Sequence, residues 1–344
     1  MATMLDHQLG IVAESTYGTP PVVTRFHEWL AGSGIDWDPN VVDGEGLRVG
    51  AQVQRSTRRT PLVGHGTGKL SAELASKGFG VLLNACWGTG ACTLVAGSTY
   101  QEVFTPVVAG TYLPSLAIQE GIVVPGGAVH PYTYAGCTIS DFDLEMPENG
   151  YAKLTASVDA KSLATATALA TASYPTNPTL FHSGLPLTGA MTIGGTLTAA
   201  TTIALASIAA GTVAAVKSWK LSVKNTLGER PVLGARNQPV VGRRDLVLTT
   251  VVEYDATTGT VLRDAQIAQT PTPLLIAATT AEVLAPATAT MQLAFAAAFV
   301  DKGAIPVPSA GEVVTTSIDW AIRRPEADTN NGAQMVLRTA DTAL

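Results

Sequence analysis

The stretch from Ser140 to Lys161, SDFDLEMPENGYAKLTASVDAK, decides the fold. Phe142, Leu144 and Met146 alternate with Asp141, Asp143 and Glu145, and a period of two marks a strand with one dry and one wet face. Pro147-Glu148-Asn149-Gly150 is turn chemistry, with Asn-Gly predicting the positive-φ positions of a tight hairpin. The return strand alternates again, with Leu154, Ala156 and Val158 against Lys153, Thr155, Ser157 and Asp159. One face belongs to a core; the other is polar and rich in carboxylates. Three acids on one strand face repel one another and share the same water, so they read as an acidic surface and not as a divided acid and base.

Outward from the hairpin the chain reads as two halves. In the first, Tyr17 to Val23 is extended and broken by proline. Gly34 to Trp37 is a short strand, a long polar loop covers 38–66, and GKLSAELAS alternates like a strand. FGVLLNACW, Phe79 to Trp87, predicts a short helix stopped by Gly88. Tyr100 to Thr105 and Leu116 to Gln119 read as strands. The second half repeats that order: a strand at Trp219 to Val223, a Gly- and Arg-containing loop over 225–242, and an alternating strand at Arg244 to Tyr254. A short helix at Val261 to Ala268 follows, then strands at Met291 to Val300 and Val314 to Ile322, with Gln334 to Arg338 completing a closing pair. This similarity of order, without residue identity, predicts a mostly β chain of two similar domains. Their bounds are 1–165 and 216–344, with an Ala/Thr/Gly-rich insertion or connector over 163–215.

Composition narrows the function. The 344 residues carry a net charge of −6, and only 14% are charged against 46% hydrophobic. That apolar content excludes general disorder, and the acidic balance removes the electrostatic footprint of a nucleic-acid binder. Sparse charge predicts a surface largely covered by neighbouring copies. Cys86, Cys92 and Cys137 are too few for a disulfide framework. The opening residues have the wrong charge order for an export signal. Residues 162–216 lack a formal charge, yet no apolar run reaches the ~18 residues of a membrane span, so no membrane partner is expected.

No motif supports catalysis. Gly64 to Lys69 lacks the first glycine and the final Ser or Thr of a phosphate loop. The five histidines never fall at metal-ligand spacing, and no nucleophile elbow occurs. No catalytic, cofactor or metal residue is assigned. Arg48, Arg55, Arg58 and Arg59 in the long loop, with Arg243 and Arg244, read as donors to carboxylates such as Asp36, Asp38 and Asp43 of a neighbouring copy.

The run of elements resembles the tail tube (major tail) proteins of long-tailed, siphovirus-type bacteriophages. The resemblance lies in the LGIVAESTYGTPP arm, the Arg-bearing loop, and GTGKLSAELASKGFGVLLNACWG. It continues through TYLPSLAIQEG into YTYAGCTISDFDLEMPENGYAKLTASVDAKS, with an exposed Tyr134-to-Cys137 bend, and through WKLSVKNTL and GRRDLVLTTVVEYD. It implies tandem β-sandwich or barrel domains, each with a flanking helix, whose hairpins join between subunits into a ring-shaped barrel. Rings then stack through arms and loops into a conduit for genomic DNA, without cofactor or catalysis. Asp141, Asp143, Glu145 and Asp159 would face the lumen. Partners would be the chain itself, other tail proteins at the tube ends, and DNA in transit. With two tube domains per chain, three chains complete a ring; six chains, with the second half as decoration, is the alternative. The tube of a contractile tail or injection machine, and another β-rich capsid or surface protein, are the other assembly classes. An enzyme with a spatially assembled site is the remaining one.

Overall fold

The computed structural model describes residues 7–46, 48–50, 52–107, 110–184, 191–306, 314–326 and 332–344. Residues 1–6 of the N-terminal segment, 47 and 51 of the long loop, and 185–190 of the connector fall outside them. The first part contains strands β1 (Gln8–Ala13), β2 (Arg25–Phe26), β3 (Gly34–Asp38), β4 (Val41–Asp43), β5 (Arg59–Pro61) and β6 (His65–Glu73). Helix α1 (Gly80–Trp87) precedes β7 (Gly88–Ala96), β8 (Thr99–Pro106), β9 (Leu116–Val123), β10 (Val129–Met146), β11 (Lys153–Ala160) and β12 (Ser162–Ala164). Four three-residue strands follow: β13 (Met191–Ile193), β14 (Thr196–Thr198), β15 (Ser207–Ala209) and β16 (Thr212–Ala214). The last part holds β17 (Val216–Val232), β18 (Ala235–Glu253), α2 (Ala256–Ala268), β19 (Thr272–Val283), β20 (Thr288–Lys302), β21 (Thr315–Arg323) and β22 (Ala333–Thr339). The fold is mostly β with two helices among the described residues.

Strand β10 is the spine. Its first half pairs with β9 and β12, and its second half with β11 and β17. The change of partners falls at Gly136, whose φ of +64° and contact with Lys161 leave no room for a Cβ. Tyr134 and Cys137 at this bend are buried, which corrects the expectation of an exposed bend. The bend turns β10 between two sheets, so its side chains fall inside the core.

Antiparallel pairing runs from the edge strand β3 through eight strands in the order β3, β6, β11, β10, β17, β18, β21, β20, and β20 pairs in turn with β19 from Thr288 to Ala298. The first four repeat in the last four: β3 with β17, β6 with β18, β11 with β21, β10 with β20. Registers agree as well. Ile35 lies opposite Gly68, Gly68 opposite Val158, and Val158 opposite Ile139. Leu221, Leu248, Trp320 and Val300 form the corresponding row. Immediately after Ile139 and Val300 each strand passes over one residue, Ser140 and Asp301, and resumes at Asp141 and Lys302. A helix follows the second strand of each set.

The hydrophobic cluster is continuous across both sets, joining Leu70, Phe142 and Leu154 to Leu221, Leu248 and Trp320. Helix α1 is buried almost all round, as its unbroken apolar run requires. It ends where Gly88, at φ +97°, donates its N–H to the Asn84 carbonyl. Helix α2 begins at Ala256, a turn earlier than read from sequence.

Several local readings change. Residues 147–152 form an open loop in which neither Asn149 nor Gly150 takes a positive φ. The loop is held instead by the segment before the connector strands: Gly150 N–H donates to Ser183 Oγ, and Ala152 N–H to the Phe181 carbonyl. Gln8–Ala13, the start of the expected arm, is a strand between β2 and β9 with Leu9 and Ile11 buried. The long loop contains the small β4–β5 hairpin. The expected loop over 225–242 is the far end of the β17–β18 hairpin, turning at Gly234. That extension is mostly exposed, so no dry face imposes an alternation to read. The expected closing pair is not a pair; β21 and β22 lie along successive halves of β20.

The C-terminal residues close over the core beside α1. Glu102 is fully buried against Gly80 and Leu344, and neither carboxyl oxygen has a hydrogen-bond partner among the described residues. Burial pushes this carboxyl up to about 8; the Asp341 charge adds to the rise and Arg25 opposes it. Its stabilising contribution is therefore complete below the unfolded carboxyl value near 4.5 and is lost as pH rises through 8. Denaturant titrations from pH 5 to 9 should show stability falling by a few kcal/mol, and Glu102→Gln should remove most of that slope.

Candidate assembly surfaces

One face of the eight-strand sheet is buried and the other is polar. Asp141, Asp143 and Glu145 lie on the polar face, with Phe142, Leu144 and Met146 buried opposite them. The pairings interleave this face with cations. Glu73, Lys153, Glu145 and Lys220 follow one another across β6, β11, β10 and β17. Lys220 Nζ lies 2.8 Å from Asp143, and this hydrogen bond raises the lysine's pKa. Asp141 sits opposite Lys224 and accepts from Ser157 Oγ at 2.8 Å. On the second set, Lys302 pairs with Asp319 at 3.1 Å. Such half-exposed pairs are worth ~0–1 kcal/mol each, so they order the face more than they stabilise the fold.

Asp159 is differently placed. Arg236, on the β17–β18 extension, donates to both its carboxylate oxygens at 3.1 and 3.0 Å, and both side chains are largely covered. This bidentate pair pins the extension to β11.

The six arginines are dispersed. Arg48 and Arg55 are exposed in the long loop. The Arg58 guanidinium packs on Gly46, where any Cβ would collide with it. Arg59 pairs across the small hairpin with Asp43 of its own chain at 3.2 Å. Adjacent on β18, Arg243 and Arg244 point to opposite sides. Arg243 pairs with Asp245, while Arg244 Nη1 donates to the Trp87 carbonyl at the end of α1. That contact completes the helix C-terminus with a cation, and burial lowers the Arg244 pKa to about 10.

Two features escaped the sequence reading. The first is a set of glutamines that hold the uncharged connector. Gln292 Oε1 accepts from the Ala206 N–H and its Nε2 donates to the Ala206 carbonyl. Gln334 does the same with Ala200, and Gln101 donates to the carbonyls of Thr201 and Ala204. Leu197, Leu205 and Ile208 thereby cover Leu275, Ala294 and Val336 on the outer side of β19, β20 and β22. Gln119 ties residues 168–170 to β9 in the same manner. A glutamine inside an apolar strand, as in MQLAF or AQMVL, was the available signal.

The second is the free edge of β3. The Ile35 N–H donates to Glu120 Oε1 at 2.7 Å, and Tyr134 Oη donates to the Ile35 carbonyl at 2.7 Å. The Trp37 N–H donates to the Asp36 carboxylate. These contacts satisfy an edge that otherwise offers bare backbone groups. Beside it runs a groove of about 750 Å³ lined by Gly34, Ile35, Asp36, Glu120, Ile122 and Lys69.

The described residues contain no cluster of His, Cys, Asp and Glu that could hold a metal, and no helix among them is long and apolar enough to cross a membrane. What the fold presents is a paired sheet with an interleaved polar face and addressable edges. The profile of the phage tail tube protein family matches residues 4–322, spanning both strand sets. The chain therefore belongs to the phage tail tube protein family, a structural, non-enzymatic component of the virion. No curated protein matches it significantly.

The glutamine contacts carry a direct test. In Gln292→Leu/Gln334→Leu, hydrogen exchange at the Ala200 and Ala206 amides should quicken at least ~10-fold, since each loses a bond worth about 1 kcal/mol together with local order. Unchanged protection would show that apolar packing alone holds the connector.

Proposed function

We propose that this chain builds the tube of a long, non-contractile phage tail from rings of three chains, each chain supplying two tube domains. The observation that carries this reading is the doubled strand order, with the first set joined to the second along β10 and β17. A seam of that kind within one chain does what neighbouring subunits do when single domains form a ring. Three chains of eight strands would then close a barrel of about 24 strands. The non-contractile assignment rests on the sequence resemblance.

In this reading the interleaved face carrying Asp141, Asp143 and Glu145 lines the lumen, and Asp159 sits at its rim with Arg236. A lumen of mixed charge with a net acidic balance offers phosphates no continuous cationic track, so double-stranded DNA moves through without being held. The long loop 38–66 and the β17–β18 extension are neighbours. A groove of about 770 Å³ lies between them, lined by Pro61, Leu62, Val232, Leu233 and Gly234. Leu233 is fully exposed at the hairpin tip and Val49 in the loop, which suits contact with the next ring. Arg48, Arg55 and Arg58 lie in this loop and serve the same stacking contact, while Arg59, Arg243 and Arg244 act mainly within the chain.

Negative-stain images of the purified protein should contain hollow rings or tubes; discrete monomers at every concentration would overturn the reading. The lumen assignment has its own test. Asp141→Lys should leave tubes intact and slow DNA ejection from phage carrying it, with salt restoring the rate because these charges are screened over ~8–10 Å. Equal ejection rates at low and high salt would remove Asp141 from the lumen.

A further inference from the structure

We infer that the free edge of β3 is the socket for the end of β20 from a second copy of the chain, with Lys302 of one copy opposite Asp38 of the next. The inference rests on the ring reading above and assigns its seam. It follows from the register of the seam that the chain makes with itself. Within the chain, Asp141 of β10 lies opposite Lys224 of β17. Lys302 holds the place of Asp141, the first residue after the passed-over one. Lys224 is three residues beyond Leu221, and Asp38 is three beyond Ile35, its counterpart. Carrying the internal register to the outer edges therefore sets Lys302 against Asp38.

The charges support the transfer. Acid on β10 and base on β17 make the internal pair; base on β20 and acid on β3 make the external one. The sign is reversed, yet the pair is complementary in both. Lys302 and Asp38 are both exposed; each has a partner within its own chain, Asp319 for Lys302 and the Asn40 N–H for Asp38, at the surface where a neighbour can share it. Farther along, Ile305 is 62% exposed, whereas Leu144 at the corresponding distance on β10 is fully buried against β17. The groove beside β3, with Ile35 and Ile122 on its walls, gives that isoleucine an apolar seat.

The same edge is closed in the single chain. Ile35 and Trp37 are the counterparts of Leu221 and Val223, which pair with Leu144 and Phe142. In the free subunit their N–H groups are taken by the Glu120 and Asp36 carboxylates. On the other side, Gly303 at φ +95° turns the chain away from the strand after Lys302. The β3 edge must exchange these side-chain caps for backbone pairing and the β20 end must straighten at Gly303, so the edge stays shut until a second copy brings a full strand. Glu120 is the latch.

Cysteines at the two positions test the register. Oxidised assemblies of Asp38→Cys/Lys302→Cys should give covalent dimers and trimers on a non-reducing gel, with three chains as the upper limit. Neither single variant nor the parent chain should do so. Normal rings that do not cross-link would overturn this register and leave the ring; absence of rings in the parent protein would overturn the ring reading itself. The latch has a separate readout. Glu120→Ala should begin to assemble at a concentration about tenfold lower, the effect of one hydrogen bond, while Glu120→Gln, which keeps an acceptor, should stay near the parent. An unchanged threshold for a folded Glu120→Ala would remove the latch.

Discussion

The structure depends on one seam, the antiparallel pairing of Asp141–Met146 with Trp219–Lys224. Backbone groups at a sheet edge must be paired, capped or left to recruit another chain. Here the chain spends the edge of its first strand set on the beginning of its second. That choice merges two small cores into one, because Phe142, Leu144 and Met146 pack in the same cluster as Leu221 and Val223. It also leaves the edge of β3 unpaired at one end of the eight-strand order and, at the other, the last residues of β20 beyond its pairing with β19. The proposed seam between chains is a consequence of those two ends.

The elements that sequence made legible are those with one dry face. Asp141 to Met146 and Lys153 to Ala160 alternate because burial demands it, and β18 alternates through Leu246, Leu248, Thr250 and Val252 for the same reason. The far part of the β17–β18 hairpin was read as a loop because water reaches both of its faces. The turn after Met146 misled for a different reason. Asn149-Gly150 has hairpin chemistry, but contacts with Phe181 and Ser183, some thirty residues away, set its backbone. Such tertiary contacts leave no local pattern.

The candidate surfaces were legible in part. The carboxylates of β10 and Lys153 of β11 could be placed on a face from spacing alone, but not Lys220 and Lys224 of β17 beside them, since cross-strand neighbours depend on register. Loop arginines looked alike in sequence; the fold sends Arg244 to a helix end, Arg59 to Asp43, and leaves Arg48 exposed. The uncharged connector likewise became intelligible only with its partners. It forms a cover over an outer sheet face, and glutamine amides supply the hydrogen bonds that its short strands lack.

The central claim is that one chain contributes two equivalent places to a closed ring. Cryo-electron microscopy of assembled tubes tests it most directly. The account predicts three chains per ring, a barrel of pseudo-sixfold appearance, and β20 of each chain beside β3 of the next. Six equivalent chains around the lumen would contradict it.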